Sequence, residues 1–112
     1  MKLTRTRKTI EKRFGGKGHL ISDSILTADQ MSGGCRMYAE ITLEQGCSLG
    51  EHKHEGETET YFRTEGVGLY NDNGECYEVK AGDVLFCDNG ESHALENTGD
   101  SNLKFVALIL EK

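Results

Sequence analysis

From residue 36 onward, apolar and polar positions alternate with a period of two. In Arg36-Met37-Tyr38-Ala39-Glu40-Ile41-Thr42-Leu43 the residues Met37, Ala39, Ile41 and Leu43 share one face, as in a strand with one buried side. Further short runs follow at 59–64, 67–71, 75–79, 84–87, 92–97 and 103–110, each bounded by Gly, Asn, Asp or Ser. Asp72-Asn73-Gly74 separates two of them, and Asn-Gly accepts the positive φ angles of a tight hairpin. Regular short strands with such turns predict an all-β domain, either a closed barrel or a sandwich.

The first 35 residues are patterned differently. Leu3, Ile10 and Phe14 can share one side of a short amphipathic piece before Gly15-Gly16. A helix can also start at Thr27 or Asp29, but Gly33-Gly34 would end it within about two turns. The segment 1–35 is therefore expected to be a basic arm with a first strand or short helix, packed on a barrel formed by 36–112.

Charge supports that packing. Residues 1–20 carry seven Lys or Arg against one Glu, whereas the remainder carries six against eighteen acidic residues, for a net charge of −6. The arm should lie on its own acidic barrel or a neighbouring one. An acidic body repels phosphates, so nucleic acid is not expected as a partner.

No apolar stretch is long enough to cross a bilayer, and MKLTRTRKTI lacks the apolar block of a secretory signal. An Arg-rich, acid-poor start is compatible with an organellar transit peptide, but the expected location is cytoplasmic, with no membrane partner. Cys35, Cys47, Cys76 and Cys87 form no CxxC pair and read as free thiols of a reducing compartment.

The chemistry concentrates in residues 46–66, GCSLGEHKHEGETETYFRTEG. His52 and His54 are two apart, so an extended strand points both imidazoles to one face. Glu59 opens the next apolar run, where a neighbouring strand can bring its carboxylate alongside. His93 follows Asp88-Asn89-Gly90 in a later strand that a closed barrel can return to the same interior. Imidazole and carboxylate together suit a divalent transition metal: iron, manganese, nickel, cobalt or zinc. An HxH pair alone reads more simply as a solvated strand edge, with His93 an ordinary hydrogen-bonded histidine.

The fuller spacing resembles the cupin superfamily. Its first motif, GxxxxxHxHxxxxExxxxxxG, is matched by Gly46, His52, His54, Glu59 and Gly66. Its second, GxxxxxPxGxxHxxxN, is matched by Gly82, Gly90, His93 and Asn97, with Asp88 in place of proline. The resemblance spans about 36–110 and implies a double-stranded β-helix, or jelly-roll, barrel of about six to eight strands. It implies that His52, His54, Glu59 and His93 are the metal ligands. Asp-Asn-Gly supplies turn chemistry by a route other than proline.

Strand parity from Glu59 puts Tyr61 and Arg63 on the ligand-facing side and sends Thr60 and Phe62 outward. Arg63 is either a carboxylate or phosphate clamp on a substrate, or it turns to solvent or pairs with a structural acid such as Glu40. Tyr61 is either a hydrogen-bond or proton donor to a bound ligand or a barrel-lining aromatic. Glu57 is a candidate general base only if the strand already begins there. His19 lies outside both motifs and reads as a surface or packing residue.

The resemblance implies a metal-binding protein acting on a small, oxygen-rich molecule, anionic where Arg63 serves as its clamp, as a dioxygenase, isomerase or decarboxylase. The alternative is a nonenzymatic sugar or small-acid binding module. By analogy with small cupins, a homodimer is expected.

Overall fold

The computed structural model describes residues Met1–Lys112, of which 59% lie in strands, with no α-helix. Ten strands follow in order: β1 Arg7–Glu11, β2 His19–Ser24, β3 Cys35–Leu43, β4 Ser48–Lys53, β5 Glu57–Glu65, β6 Val67–Asp72, β7 Glu75–Lys80, β8 Val84–Cys87, β9 Ser92–Asn97 and β10 Leu103–Glu111. They form two antiparallel sheets, ordered β1-β2-β3-β10-β5-β8 and β4-β9-β6-β7. The sheets face each other as a jelly roll without closing into one hydrogen-bonded ring.

Alternation explains the interior. Ala39, Ile41 and Leu43 of β3, Leu103, Phe105 and Ala107 of β10, and Leu95 of β9 are buried together in one core. The β6–β7 hairpin turns at Asn73 (φ 53°) and Gly74 (φ 96°), with Asp72 opposite Glu75. Positive φ at both turn residues matches the right-handed strand twist.

The N-terminal segment forms a strand rather than a helical piece. β1, RKTIE, buries little beyond Ile10 and pairs through its backbone with β2, which in turn pairs with β3. The basic arm lies on the acidic body of its own chain: Arg5 pairs with Glu40, Arg7 with Asp23 and Lys17 with Glu96. The helix start at Thr27 yields only an isolated turn, in which Gln30 bonds back to Thr27 through both its main-chain N–H and its side chain. Gly33 and Gly34 follow too soon for a second turn to form.

All four cysteines are free thiols. No helix is long and apolar enough to cross a membrane.

Candidate metal centre

Each candidate ligand reaches the interior by its own route. His52 and His93 are directly opposed on β4 and β9, just beyond a register shift in β4 between Leu49 and His52. His54 lies one residue past the end of β4 and is held on both sides: its N–H donates to the Glu91 carbonyl, and its carbonyl accepts from Gly90. Glu59 does not come from a strand beside β4. It sits on β5, in the other sheet, so the carboxylate reaches the imidazoles from across the barrel. The chain makes that crossing between His54 and Glu57, with Gly56 at φ 75°.

The three Nε2 atoms converge on one oxygen. Glu59 Oε1 lies 2.9 Å from His54, 3.0 Å from His93 and 3.6 Å from His52. Each Nδ1 is engaged behind. His52 Nδ1 donates to the Gly50 carbonyl at 2.8 Å, His54 Nδ1 meets the Glu57 carboxylate at 2.6 Å, and His93 Nδ1 meets the Tyr70 hydroxyl at 2.8 Å. A carbonyl or carboxylate only accepts, so Nδ1 of His52 and His54 carries a proton, which leaves Nε2 of each as the atom that faces Glu59, donating to it when protonated and free to take a metal when not. Such backing fixes tautomer and orientation in metal-binding histidines.

The donor set fits a metal ion. Bonds of about 2.0–2.2 Å to one ion place neighbouring ligand atoms about 3.0–3.5 Å apart. The one-per-residue ligand atoms of His52, His54, Glu59 and His93 all lie within 4.8 Å of one another. Lone pairs crowded this closely repel unless a proton or a cation sits among them.

The electrostatics follow from burial and this crowding. Burial alone would raise the Glu59 carboxyl, but hydrogen bonds from His52, His54 and His93 outweigh it and hold the group ionised, well below the usual carboxylate range. The hydrogen bond to Glu59, seconded by Glu57, raises the pKa of His54 despite burial. Burial lowers that of His93. Burial likewise pushes the Tyr61 and Tyr70 phenols upward, so both stay protonated.

Glu57 is largely buried and bridges His54 to Arg36, whose guanidinium lies 2.8 Å from its other oxygen. It supports a ligand rather than standing free as a base. Tyr61 is buried, stacks on His93 with ring centroids 4.8 Å apart, and places its hydroxyl 3.4 Å from His93 Nε2. His19 pairs with Glu44 away from the cluster.

Arg63 faces inward, but it does not line the cavity at the histidines. Its guanidinium donates to the carbonyls of Glu65 (3.1 Å) and Gly66 (2.9 Å), closing the far end of the barrel. It lies four residues, or about 13 Å of extended chain, from Glu59. The carboxylate-clamp expectation does not hold in this arrangement, and the expected alternative partner, Glu40, is taken by Arg5.

The cluster opens into a cavity of about 810 Å³, with 15 of its 28 lining residues hydrophobic, including Ile41, Met37, Phe105 and Ala107. Pockets of this kind generally hold small molecules by a few polar anchors, and His52, His54 and Glu59 stand on its wall.

A family model described as Cupin domain matches residues 39–109. The chain belongs to the cupin family. It is 44% identical over 105 residues to an oxalate-binding protein of Thermotoga maritima, covering 94% of this chain and 87% of that one. An uncharacterized protein of Methanocaldococcus jannaschii is 30% identical over 106 residues, covering 95% of this chain and 85% of that one. A Thermotoga maritima crystal structure described as a predicted oxalate decarboxylase superposes with a TM-score of 0.95 at 41% identity, over 100% of both chains. This cupin thus combines a His/Glu cluster able to bind metal with relatives named for a small dianion.

Two features of the site lie outside the spacing of the four candidate ligands. Tyr70, behind His93, could have been placed by counting parity back from the Asn73-Gly74 hairpin. Phe14 could not. Its ring stacks on His52 at 4.1 Å and 13° because the backbone takes positive φ there, at 53°.

Proposed function

We propose that this cupin holds one divalent transition metal on His52, His54, Glu59 and His93 and binds a small dicarboxylate such as oxalate in the adjoining cavity. The observation that carries the metal reading is the convergence of three Nε2 atoms on Glu59 Oε1, each with its Nδ1 engaged from behind. The bound metal would supply a Lewis-acidic centre for carboxylate oxygens. The ligand reading is supported by 44% identity, over nearly the whole chain, to a protein named for oxalate binding.

Binding is favoured over turnover by what surrounds the cluster. A decarboxylase needs a group that delivers a proton near the reacting carbon. The tyrosine hydroxyl on the cavity side, Tyr61, is held protonated by burial, and Glu57 is committed to His54 and Arg36. These groups orient a ligand without exchanging protons readily at neutral pH.

The chain is also proposed to be a cytoplasmic homodimer. Its free thiols suit a reducing compartment. Phe62, Val84, Phe86 and Leu110 stand exposed together on the outer face of β5, β8 and β10, beside the edge strand β8, as a self-complementary pairing surface requires.

The test is metal content and calorimetry. Purified chain offered zinc, manganese, iron, nickel or cobalt should retain close to one equivalent of at least one of them. The loaded chain should bind oxalate without consuming it. His93→Ala should lose metal retention while His19→Ala keeps it. Equal losses, or no retention of any metal, would sink the metal reading; steady product formation from oxalate would replace the binder with an enzyme.

A further inference from the structure

We propose that Arg13 and Phe14 form a fixed recognition cover at the metal cavity: Phe14 shields His52, and Arg13 takes the carboxylate that points away from the imidazole cluster. This deepens the dicarboxylate reading and, for Arg13, rests on it.

The cover is built from the 3-10 turn Arg13–Gly15. Lys12 (φ 47°) and Phe14 (φ 53°) both sit in the left-handed region, which a bulky aromatic rarely occupies. Such strain persists only where neighbours over-determine the backbone, and it clusters at ligand sites. The neighbours here are on β4. Gly50 lets the Phe14 carbonyl approach so closely that a Cβ would collide with it, and Gly16 meets Ser48 in the same way. Ser48 N–H donates to the Lys17 carbonyl at 2.9 Å, and Lys17 N–H donates to Ser48 Oγ at 2.8 Å. The loop is thereby pinned to the strand that carries His52.

The pinned loop presents a stack. The Phe14 ring lies on the His52 imidazole at 4.1 Å, and the Arg13 guanidinium lies over the Phe14 ring at 4.4 Å. The guanidinium is therefore at most about 8.5 Å from the imidazole centre. Arg13 and Phe14 both line the cavity, yet about half of the Phe14 surface remains exposed, so neither is there to fill the core.

Charge singles out Arg13. Of the cations lining the cavity, Arg36 is neutralised by Glu57 and Lys53 by Glu55, whereas Lys8 and Arg13 have no acidic partner. Lys8 lies on β1; Arg13 alone is stacked toward a metal-binding imidazole. A planar guanidinium matches a carboxylate in a two-point hydrogen-bonded pair, and the ring beneath holds its plane.

The experiment uses the full chain loaded with zinc, with oxalate and formate as probes. Arg13→Gln should weaken oxalate binding about tenfold, the loss of one charge-assisted contact at a partly exposed site, while formate, with no second carboxylate, changes by less than about twofold. Arg13→Lys should recover part of the loss.

Phe14→Gly and Phe14→Asn both tolerate positive φ and so keep the loop. At equal starting metal content they should release zinc to an excess of chelator about tenfold faster than the unsubstituted chain. Oxalate affinity unchanged in Arg13→Gln overturns the role of Arg13 but leaves the dicarboxylate reading intact. Failure of the unsubstituted, loaded chain to bind oxalate overturns that reading and the Arg13 role with it. Unchanged release rates in both Phe14 variants overturn the shielding role, whatever the ligand.

Discussion

Replacing Tyr70 with Phe removes one oxygen atom from a fully packed site and tests whether the hydrogen bonds behind the imidazoles set metal affinity. Tyr70 and His93 are each about 1% exposed, and the hydroxyl meets His93 Nδ1 at 2.8 Å. A hydroxyl both donates and accepts, so this bond survives a change of tautomer: Nδ1 accepts from the phenol when Nε2 carries the proton and donates to it when Nε2 binds a metal. Phe offers neither partner, and buried Nδ1 goes unsatisfied. An unpaired buried polar group costs about 1–3 kcal/mol. Loss of a group backing a metal ligand typically costs about 10–100-fold in affinity, or about 1.4–2.8 kcal/mol, and the two figures agree. Zinc affinity measured by competition with a chromophoric chelator should therefore fall about 10–100-fold in Tyr70→Phe. Tyr77→Phe is the control, because that hydroxyl bonds Asp72 at the exposed surface. A Tyr70→Phe affinity within twofold of the parent, or an equal fall in Tyr77→Phe, would refute the reasoning.

Three further outcomes follow from other parts of the molecule. The raised pKa of His54 means that the metal-free chain keeps a proton on this residue above the ordinary imidazole range, so metal uptake near pH 7 releases that proton and loading weakens as the pH falls; calorimetry in buffers of different ionisation enthalpy measures the release, and none at pH 6.5 would contradict it. Arg7 holds the Asp23 carboxyl below its usual value, so their pairing stabilises the fold above about pH 4 and is lost as the pH drops through the lowered value. The melting temperature of Arg7→Ala should then trail the parent slightly at neutral pH, because Arg7 is largely exposed, and the gap should close in acid. Finally, Phe62→Glu with Phe86→Lys should shift light scattering from two copies to one 12.4 kDa chain without altering metal content; a parent that is already monomeric refutes the dimer.

The legible parts of the sequence are those where side-chain parity governs. Strands β3, β5, β6 and β8 to β10 appear in the alternation, because each has one face in the core; β7 buries only Val79 and is marked chiefly by the hairpin before it. The spacing of His52, His54, Glu59 and His93 is readable because each residue must point inward at a set distance along its strand. β1 was hidden, since RKTIE places little beyond Ile10 inward and is held by backbone pairing to β2 and by Arg7 with Asp23. β4 was visible only as the HxH pair, because its register shifts between Leu49 and His52 and alternation breaks there. The facing of Glu59 from the opposite sheet, and the seating of Phe14 on His52, arise from where the chain crosses between sheets and where a glycine lets two backbones touch. Neither has a periodic signature.

Parity alone also says nothing about how a buried charge is neutralised, and two of the buried charges on β5, Arg63 and Glu59, have different answers. At one end Arg63 is completely buried, yet it is a permanent cation whose NH groups reach the Glu65 and Gly66 carbonyls of the turn that follows it. Those contacts are made within one turn of chain, independently of any ligand; burial lowers its pKa, Asp83 offsets this only in part, and Arg63 Nε is left without a partner. At the other end Glu59 is ionised among three imidazoles that have already committed their Nδ1 atoms elsewhere. Its charge can be met only by protons on Nε2 or by a cation bound in their place. A proton answers one imidazole at a time, and the lowered pKa of His93 works against a second. A divalent ion answers all four groups together. The same strand thus carries, at its closed end, a structural charge held by main-chain carbonyls and, at its open end, a charge that is complete only when something binds.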